Sequence, residues 1–157
     1  MTTVEQAEDE WRARGIRWGI IAGGICVSLF AGVYFLDRPT ILIRELWLGS
    51  LLIYLFGMYQ AQRFVEGDDL KAYIQPGFMV FVVANAIFYG YYHLLFSVFD
   101  PELVQLQAEM LAANGQDPKD AAAPTISSSF LSYAQSLIFG FGLAAATGFI
   151  IRLRNNN

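Results

Sequence analysis

Residues 18–36 read WGIIAGGICVSLFAGVYFL, 19 consecutive positions without a charge, closed by Arg17 on one side and Asp37 on the other. At 1.5 Å of rise per residue, a helix of that length reaches about 28 Å, the thickness of a hydrocarbon core. A cleaved signal peptide is the rival reading. The long acidic leader (Glu5, Glu8, Asp9, Glu10) and the lack of an Ala-x-Ala site after the run oppose it. The stretch therefore reads as a retained transmembrane helix, span 1, over residues 16–36 with an acidic leader at 1–15.

The remainder of the chain repeats the pattern. Of 157 residues, 55% are hydrophobic and only 15% charged, against roughly 25% charged in soluble domains. The charges cluster, and the intervals between clusters are nearly free of them. Leu46 to Gln62 is a second charge-free run of 17 residues, with Trp47 and Tyr59 placed to anchor its ends at the two interfaces. Extended outward through Ile41-Leu42-Ile43, it predicts span 2 over 41–62. A loop at 63–77 follows, with a turn at Glu66-Gly67-Asp68-Asp69 and Leu70 to Gln75 along the membrane surface. Pro76-Gly77 predicts the entry to span 3, since proline suits a first helical turn. Span 3 covers 78–99 and ends among aromatics: Phe88, Tyr89, Tyr91, Tyr92, Phe96 and Phe99.

Asp100-Pro101-Glu102 predicts a helix start, with a capping carboxylate followed by proline. Leu103, Leu106, Met110 and Leu111 then share one face, and Asn114-Gly115 ends the helix. This is a short amphipathic helix outside the membrane, within a segment at 100–128. Ser127, Ser128 and Ser129 are candidate caps for span 4, over 129–151, and 152–157 forms a tail containing Arg152 and Arg154.

Orientation follows from the distribution of Lys and Arg. With the N-terminus inside, the inner segments hold Arg12, Arg14, Arg17, Arg63, Lys71, Arg152 and Arg154. The outer segments hold only Arg38, Arg44 and Lys119. The expected fold is all-α: an integral membrane four-helix bundle, both termini cytoplasmic, with an amphipathic helix on the outer face between spans 3 and 4.

In lipid, close packing rather than hydrophobic burial holds helices together, so small residues mark interfaces. Gly15, Gly19 and Gly23 line one face of span 1; Gly24, Ser28 and Gly32 line the adjacent one. Gly57 of span 2 and Gly140, Ala144 and Gly148 of span 4 are further packing candidates. With two small faces on span 1, one is free to meet another protein. Asn85, two turns into span 3, needs a partner in lipid, and depth points to Tyr54, the backbone near Gly57, or Thr147.

The charge-free bodies of the spans argue against a proton- or cation-coupled transporter, a voltage sensor or a carboxylate-metal site. A net charge of −4 without a basic stripe opposes nucleic-acid binding. The single cysteine, Cys26, reads as a small packing residue. His93, the only histidine, is the one candidate cofactor ligand, for a haem or quinone shared with a partner; its plain alternative is an interfacial histidine bonded to a tyrosine or to water. Arg44 and Glu45 are candidates to pair with Asp37 or with the outer helix. No nucleophile elbow, phosphate loop or metal-spaced motif occurs, so no catalytic residue, metal or resident cofactor is expected.

Several motifs occur in an order that resembles a bacterial family of small four-span membrane proteins, domain-of-unknown-function family 4199. They are Gly19 to Gly23 in span 1, Tyr59 to Arg63 leading to Gly67, and Phe99-Asp100-Pro101-Glu102-Leu103. An outer Met/Leu/Gln-rich helix ending near Asn114-Gly115 and an Arg-containing tail complete the series. The likeness covers about residues 15 to 154, and departs from the family in the acidic leader and the short Ala/Pro-containing outer loop. It implies an inner-membrane location and supplies no activity. The functional expectation is a non-catalytic accessory or structural subunit beside a larger membrane complex. The alternatives are a small oligomeric permease using Asn85, Gln60, Gln135, Ser28 and tyrosines as a polar path, or the shared site at His93. The expected partners are the lipid bilayer and either a membrane protein or a second copy of the chain. Leu103, Leu106, Met110 and Leu111 offer a stripe to such a partner.

Overall fold

The computed structural model describes residues 3–65 and 69–155, with side chains from Asp9 onward. Helix α1 spans Thr3–Leu36, α2 Arg44–Gln62, α3 Leu70–Leu94, α4 Glu102–Ala113 and α5 Ile126–Asn155. The chain is all-α. Three stretches are long and apolar enough to cross a membrane: Asp9–Leu36, Leu70–Phe99 and Ile126–Asn155. Helix α2, with 19 residues that include Arg44, Glu45 and two glutamines, falls short of that measure. The expected turn at residues 66–68 lies outside the described residues.

Helix α3 is the axis of the bundle. It packs against α1, α2 and α5, while α2 also touches α1 and α5. Helix α1 runs parallel to α3: Gly15 lies against Met79, Gly19 against Val83, and Gly23 against Ala84 and Ile87. Helices α2 and α5 run the opposite way, with Gly57 on Ala22 and Val80, Gly140 on Phe81 and Gly148 on Tyr73. The core between them holds Cys26, Phe30, Tyr54, Met58, Val80, Phe81, Ala84 and Phe88. The beginning of α1 and the end of α5 lie at one end of the bundle. There Arg63 lines a cleft with Arg14 and Arg17 and another with Arg154 and Asn155.

Five boundaries differ from the sequence reading. Ile41 and Leu42 do not extend α2. They belong to a 3-10 turn, Arg38–Leu42, that opens with Pro39, and Ile43 is extended (φ −75°, ψ 130°). Ile41 is drawn aside into a small second core with Leu95, Phe96 and Leu103, and its carbonyl accepts from Trp47 Nε1 at 2.9 Å. Helix α3 starts at Leu70, capped by the Asp69 carboxylate, which accepts from the Lys71 N–H, so 70–75 is helix rather than a surface strand of loop. Pro76 is thus inside the helix. It forgoes one backbone bond, and the close contacts of Pro76 with Gly15 and of Gly77 with Gln62 hold the segment helical. The α-geometry of α3 ends at Leu94, and Leu95–Phe99 form a π-helical turn. Thr125, not the serines after it, caps α5. Its hydroxyl accepts from the Ser128 N–H while Ser128 Oγ accepts from the Thr125 N–H, a reciprocal capping box. The leader, from Thr3, is helical and continuous with span 1.

The glycines of α1 provide a paired test. A Cβ built on Gly23 would stand 3.0 Å from Ala84 Cα, which is backbone and cannot yield, whereas one on Gly24 meets nothing within 4 Å. Gly23→Val is expected to destabilise the protein by roughly 1–3 kcal/mol through overpacking, and Gly24→Val by less than about 0.5 kcal/mol. Reversible unfolding in mixed micelles measures both; equal losses would refute the assignment of the α1–α3 contact to the Gly15/Gly19/Gly23 face.

Candidate functional site

Two of the polar residues singled out from the sequence, Asn85 and His93, bond from one helix to another. Asn85 is buried and donates from Nδ2 to Ser136 Oγ at 2.5 Å, and Ser136 donates on to the Tyr133 carbonyl. Its partner is none of the three expected: it lies on α5, about three turns from Thr147, and not at Tyr54 or the backbone near Gly57 of α2. Thr147 instead bonds the carbonyls of its own helix at Leu143 and Ala144. His93 is half-buried, with Nδ1 3.1 Å from Ser129 Oγ. Among the described residues no group of three or more His, Cys, Asp or Glu gathers to hold a metal. The residues considered for a polar path do not converge. Asn85 faces α5, Gln60 is half-buried on α2, and Ser28 and Gln135 are exposed on α1 and α5.

The small residues divide into two sets. Gly15, Gly19, Gly23, Gly57, Gly140, Ala144 and Gly148 are buried at contacts within the chain. Gly24, Ser28 and Gly32 are exposed, and neither glycine has an atom within 4 Å of where a Cβ would stand. Between them the strip is flanked by exposed Ile20, Ile21, Ile25 and Leu29.

Two polar features escaped the sequence reading. Gln62 looks like the ragged end of an apolar run, yet it is fully buried. Its Nε2 donates to the Ala144 carbonyl at 2.9 Å, and the side chain fits the space left by Gly77 and Gly148. Oε1 has no protein partner. A signal existed: glutamine beside helices that each carry a glycine at matching depth. The second feature is at the other end of the bundle. Asp100, read as a helix cap, makes no capping bond. Its carboxylate accepts from Arg38 Nη2 and, at 2.9 Å, from the Tyr34 hydroxyl, while Arg38 also reaches Glu102 at 3.3 Å. The hydrogen bond to Asp100 holds the guanidinium charged beyond even its ordinary range. The π-helical turn places Asp100 here, closing with the Asp100 N–H on the Leu95 carbonyl. Such turns frequently mark functional positions; this one ties the end of α1 to the start of α4. Arg44 and Glu45 do not join the cluster. They line a groove of about 370 Å³ between α2 and α4 that also includes Met110 and Leu111.

The amphipathic stripe of α4 is partly spent within the chain. Leu103 is fully buried against Ile41, Leu95 and Phe96, and Leu106 packs beside it. Met110 and Leu111 remain half-buried on the groove.

No protein-family model, curated protein or solved structure matches the chain. The likeness to family 4199 accordingly rests on the quoted residues alone.

The Arg38–Asp100 link yields a local prediction. Arg38→Ala leaves a buried carboxylate with only Tyr34 as donor, so α4 amides are expected to exchange with deuterium severalfold faster, with those of α5 unchanged. Arg38→Ala combined with Asp100→Ala should recover part of the protection, because the unpaired charge is gone. Exchange mass spectrometry on residues 102–113 reads this. Unchanged protection in the single variant would show that α4 is held by Leu103 packing alone.

Proposed function

We propose that this chain is a four-span inner-membrane protein with both termini cytoplasmic, acting as a non-catalytic subunit that packs beside a larger membrane assembly. The observation that carries the reading is the open strip Gly24–Ser28–Gly32 on α1. A membrane helix spends small residues where another backbone must come close. The adjacent Gly15–Gly19–Gly23 face does so against α3, and its neighbour is left facing outward with nothing on it. The α4 groove with Met110 and Leu111 offers a second contact at the outer rim.

A membrane role for α2 is supported by its outward line of Leu48, Leu52 and Phe56, all more than half exposed and spaced by one turn. Apolar side chains on that scale are at ease only in lipid or against another protein. Orientation is supported by the collection of Arg14, Arg17, Arg63 and Arg154 at one end of the bundle. A resemblance to family 4199 is compatible with the location and adds no activity. The dispersal of Asn85, Gln60 and Ser28 favours the subunit reading over a polar path through a single bundle.

The test is recovery of the tagged protein from membranes in mild detergent. Wild type is expected to bring down a defined membrane partner. Gly24→Leu with Gly32→Leu is expected to lose that partner while keeping its unfolding midpoint. Recovery of the wild-type chain alone, monomeric by mass, would overturn the proposal. In a Cys26→Ser background, cysteines at Thr3 and Asn155 should label from the same side of the membrane; labelling from opposite sides would overturn the topology.

A further inference from the structure

The basic end of the bundle carries a site that packing does not explain. Ala13, Arg14, Arg17 and Trp18 of α1 and Arg63 and Phe64 beyond α2 line a cleft of about 460 Å³. Three arginines line it, and no carboxylate is among its lining residues as far as the described residues go; Glu10 lines the adjoining cleft with Arg14 and Phe64. Both ion pairs found among the described residues belong to Arg38, at the other end of the molecule. Like charges held together in this way repel unless an anion lies between them. Arg63 stacks on its neighbour, with its guanidinium carbon 4.4 Å from the centre of the Phe64 ring, a geometry that leaves the edges of the fork pointing away from the ring.

Below the cleft, toward the middle of the bundle, the surface turns apolar. Trp18, which lines the cleft, meets Phe56 edge to face at 6.1 Å. From there Ile21 and Ile25 of α1 and Leu52 and Phe56 of α2 run on, all exposed. The combination is a cationic cup at the level of the lipid headgroups above an apolar track between two helices. Guanidinium forks match phosphate oxygens two at a time, and basic pockets between membrane helices on the cytoplasmic side bind anionic headgroups.

We propose that this cleft binds the phosphodiester headgroup of one anionic phospholipid, held by Arg14, Arg17 and Arg63, with an acyl chain along Ile21, Ile25, Leu52 and Phe56. The site rests on the reading of α1 and α2 as membrane spans.

The experiment uses the full chain purified in neutral detergent, with native mass spectrometry to count retained lipid and thermal unfolding to read stabilisation. The probes are phosphatidylglycerol, phosphatidylcholine and inorganic phosphate. Phosphatidylglycerol is expected to be retained at one per chain and to raise the midpoint by several degrees, with little effect from the other two. Arg14→Gln, Arg17→Gln and Arg63→Gln together should lower retention by on the order of tenfold or more, and Arg63→Gln alone by a smaller factor. A charge-matched variant, Arg12→Gln, Lys71→Gln and Arg152→Gln, should retain the lipid. Equal response to phosphatidylcholine, an equal effect of inorganic phosphate, or equal loss in the charge-matched variant would each overturn the site. The wild-type comparison of lipids stands even if the triple variant does not fold. A protein that is folded and soluble without detergent would instead overturn the membrane reading itself.

Discussion

The close approach of α1 to α3 is the constraint on which the rest depends. In a bilayer the hydrophobic effect does not distinguish a helix from lipid, so two helices stay together only if their surfaces fit better than acyl chains do. Gly15, Gly19 and Gly23 remove the side chains along one line of α1, and the backbone of α3 at Pro76, Val80 and Ala84 fills that line. Once α1 and α3 lie parallel at this distance, α2 has one place to go. Gly57 fits over Ala22 and Val80 at the junction of all three, and Phe30, Trp47 and Phe88 close the half nearer the end of α1 with edge-to-face contacts.

Helix α5 is attached by a different kind of force. Besides the close contacts at Gly140, Ala144 and Gly148, polar bonds link it to the rest of the bundle along its length. Arg154 meets Tyr59, Gln62 reaches the Ala144 carbonyl, Asn85 meets Ser136, the Tyr133 hydroxyl reaches the Val82 carbonyl, and His93 meets Ser129. Hydrogen bonds of this kind in membranes typically contribute about 0.6 kcal/mol each, with a maximum near 1.7. They are modest singly and directional together. The bonds of Gln62 Nε2 and Asn85 Nδ2 also satisfy buried amide groups that would otherwise stand unpaired in the interior.

The sequence carried the helical class and much of the packing because both depend on patterns that a membrane enforces: long charge-free runs, and glycine at every fourth residue. Gly15, Gly19 and Gly23 and the series Gly140, Ala144 and Gly148 are contacts between helices, as their spacing requires. What could not be read depended on side chains meeting across the bundle. Ser136 rather than Thr147 receives Asn85 because the offset between α3 and α5 is set by Phe81 seating on Gly140, a fact with no local signature. Asp100 before a proline looks like a cap. It turns away because Arg38, 62 positions earlier, offers a full charge where the N-terminal amides offer partial ones. Pro76 looked like a helix start because proline is most at home there; Asp69 had already begun the helix seven residues before it.

The two modes of attachment differ in how they respond to sliding. A ladder of glycines four residues apart looks nearly the same to its neighbour after a shift of one turn. The row of specific donors and acceptors on α5 matches in one alignment and loses every match at once in any other. The polar bonds of α5 to α2 and α3 therefore fix one axial register, which contacts between small residues alone would not.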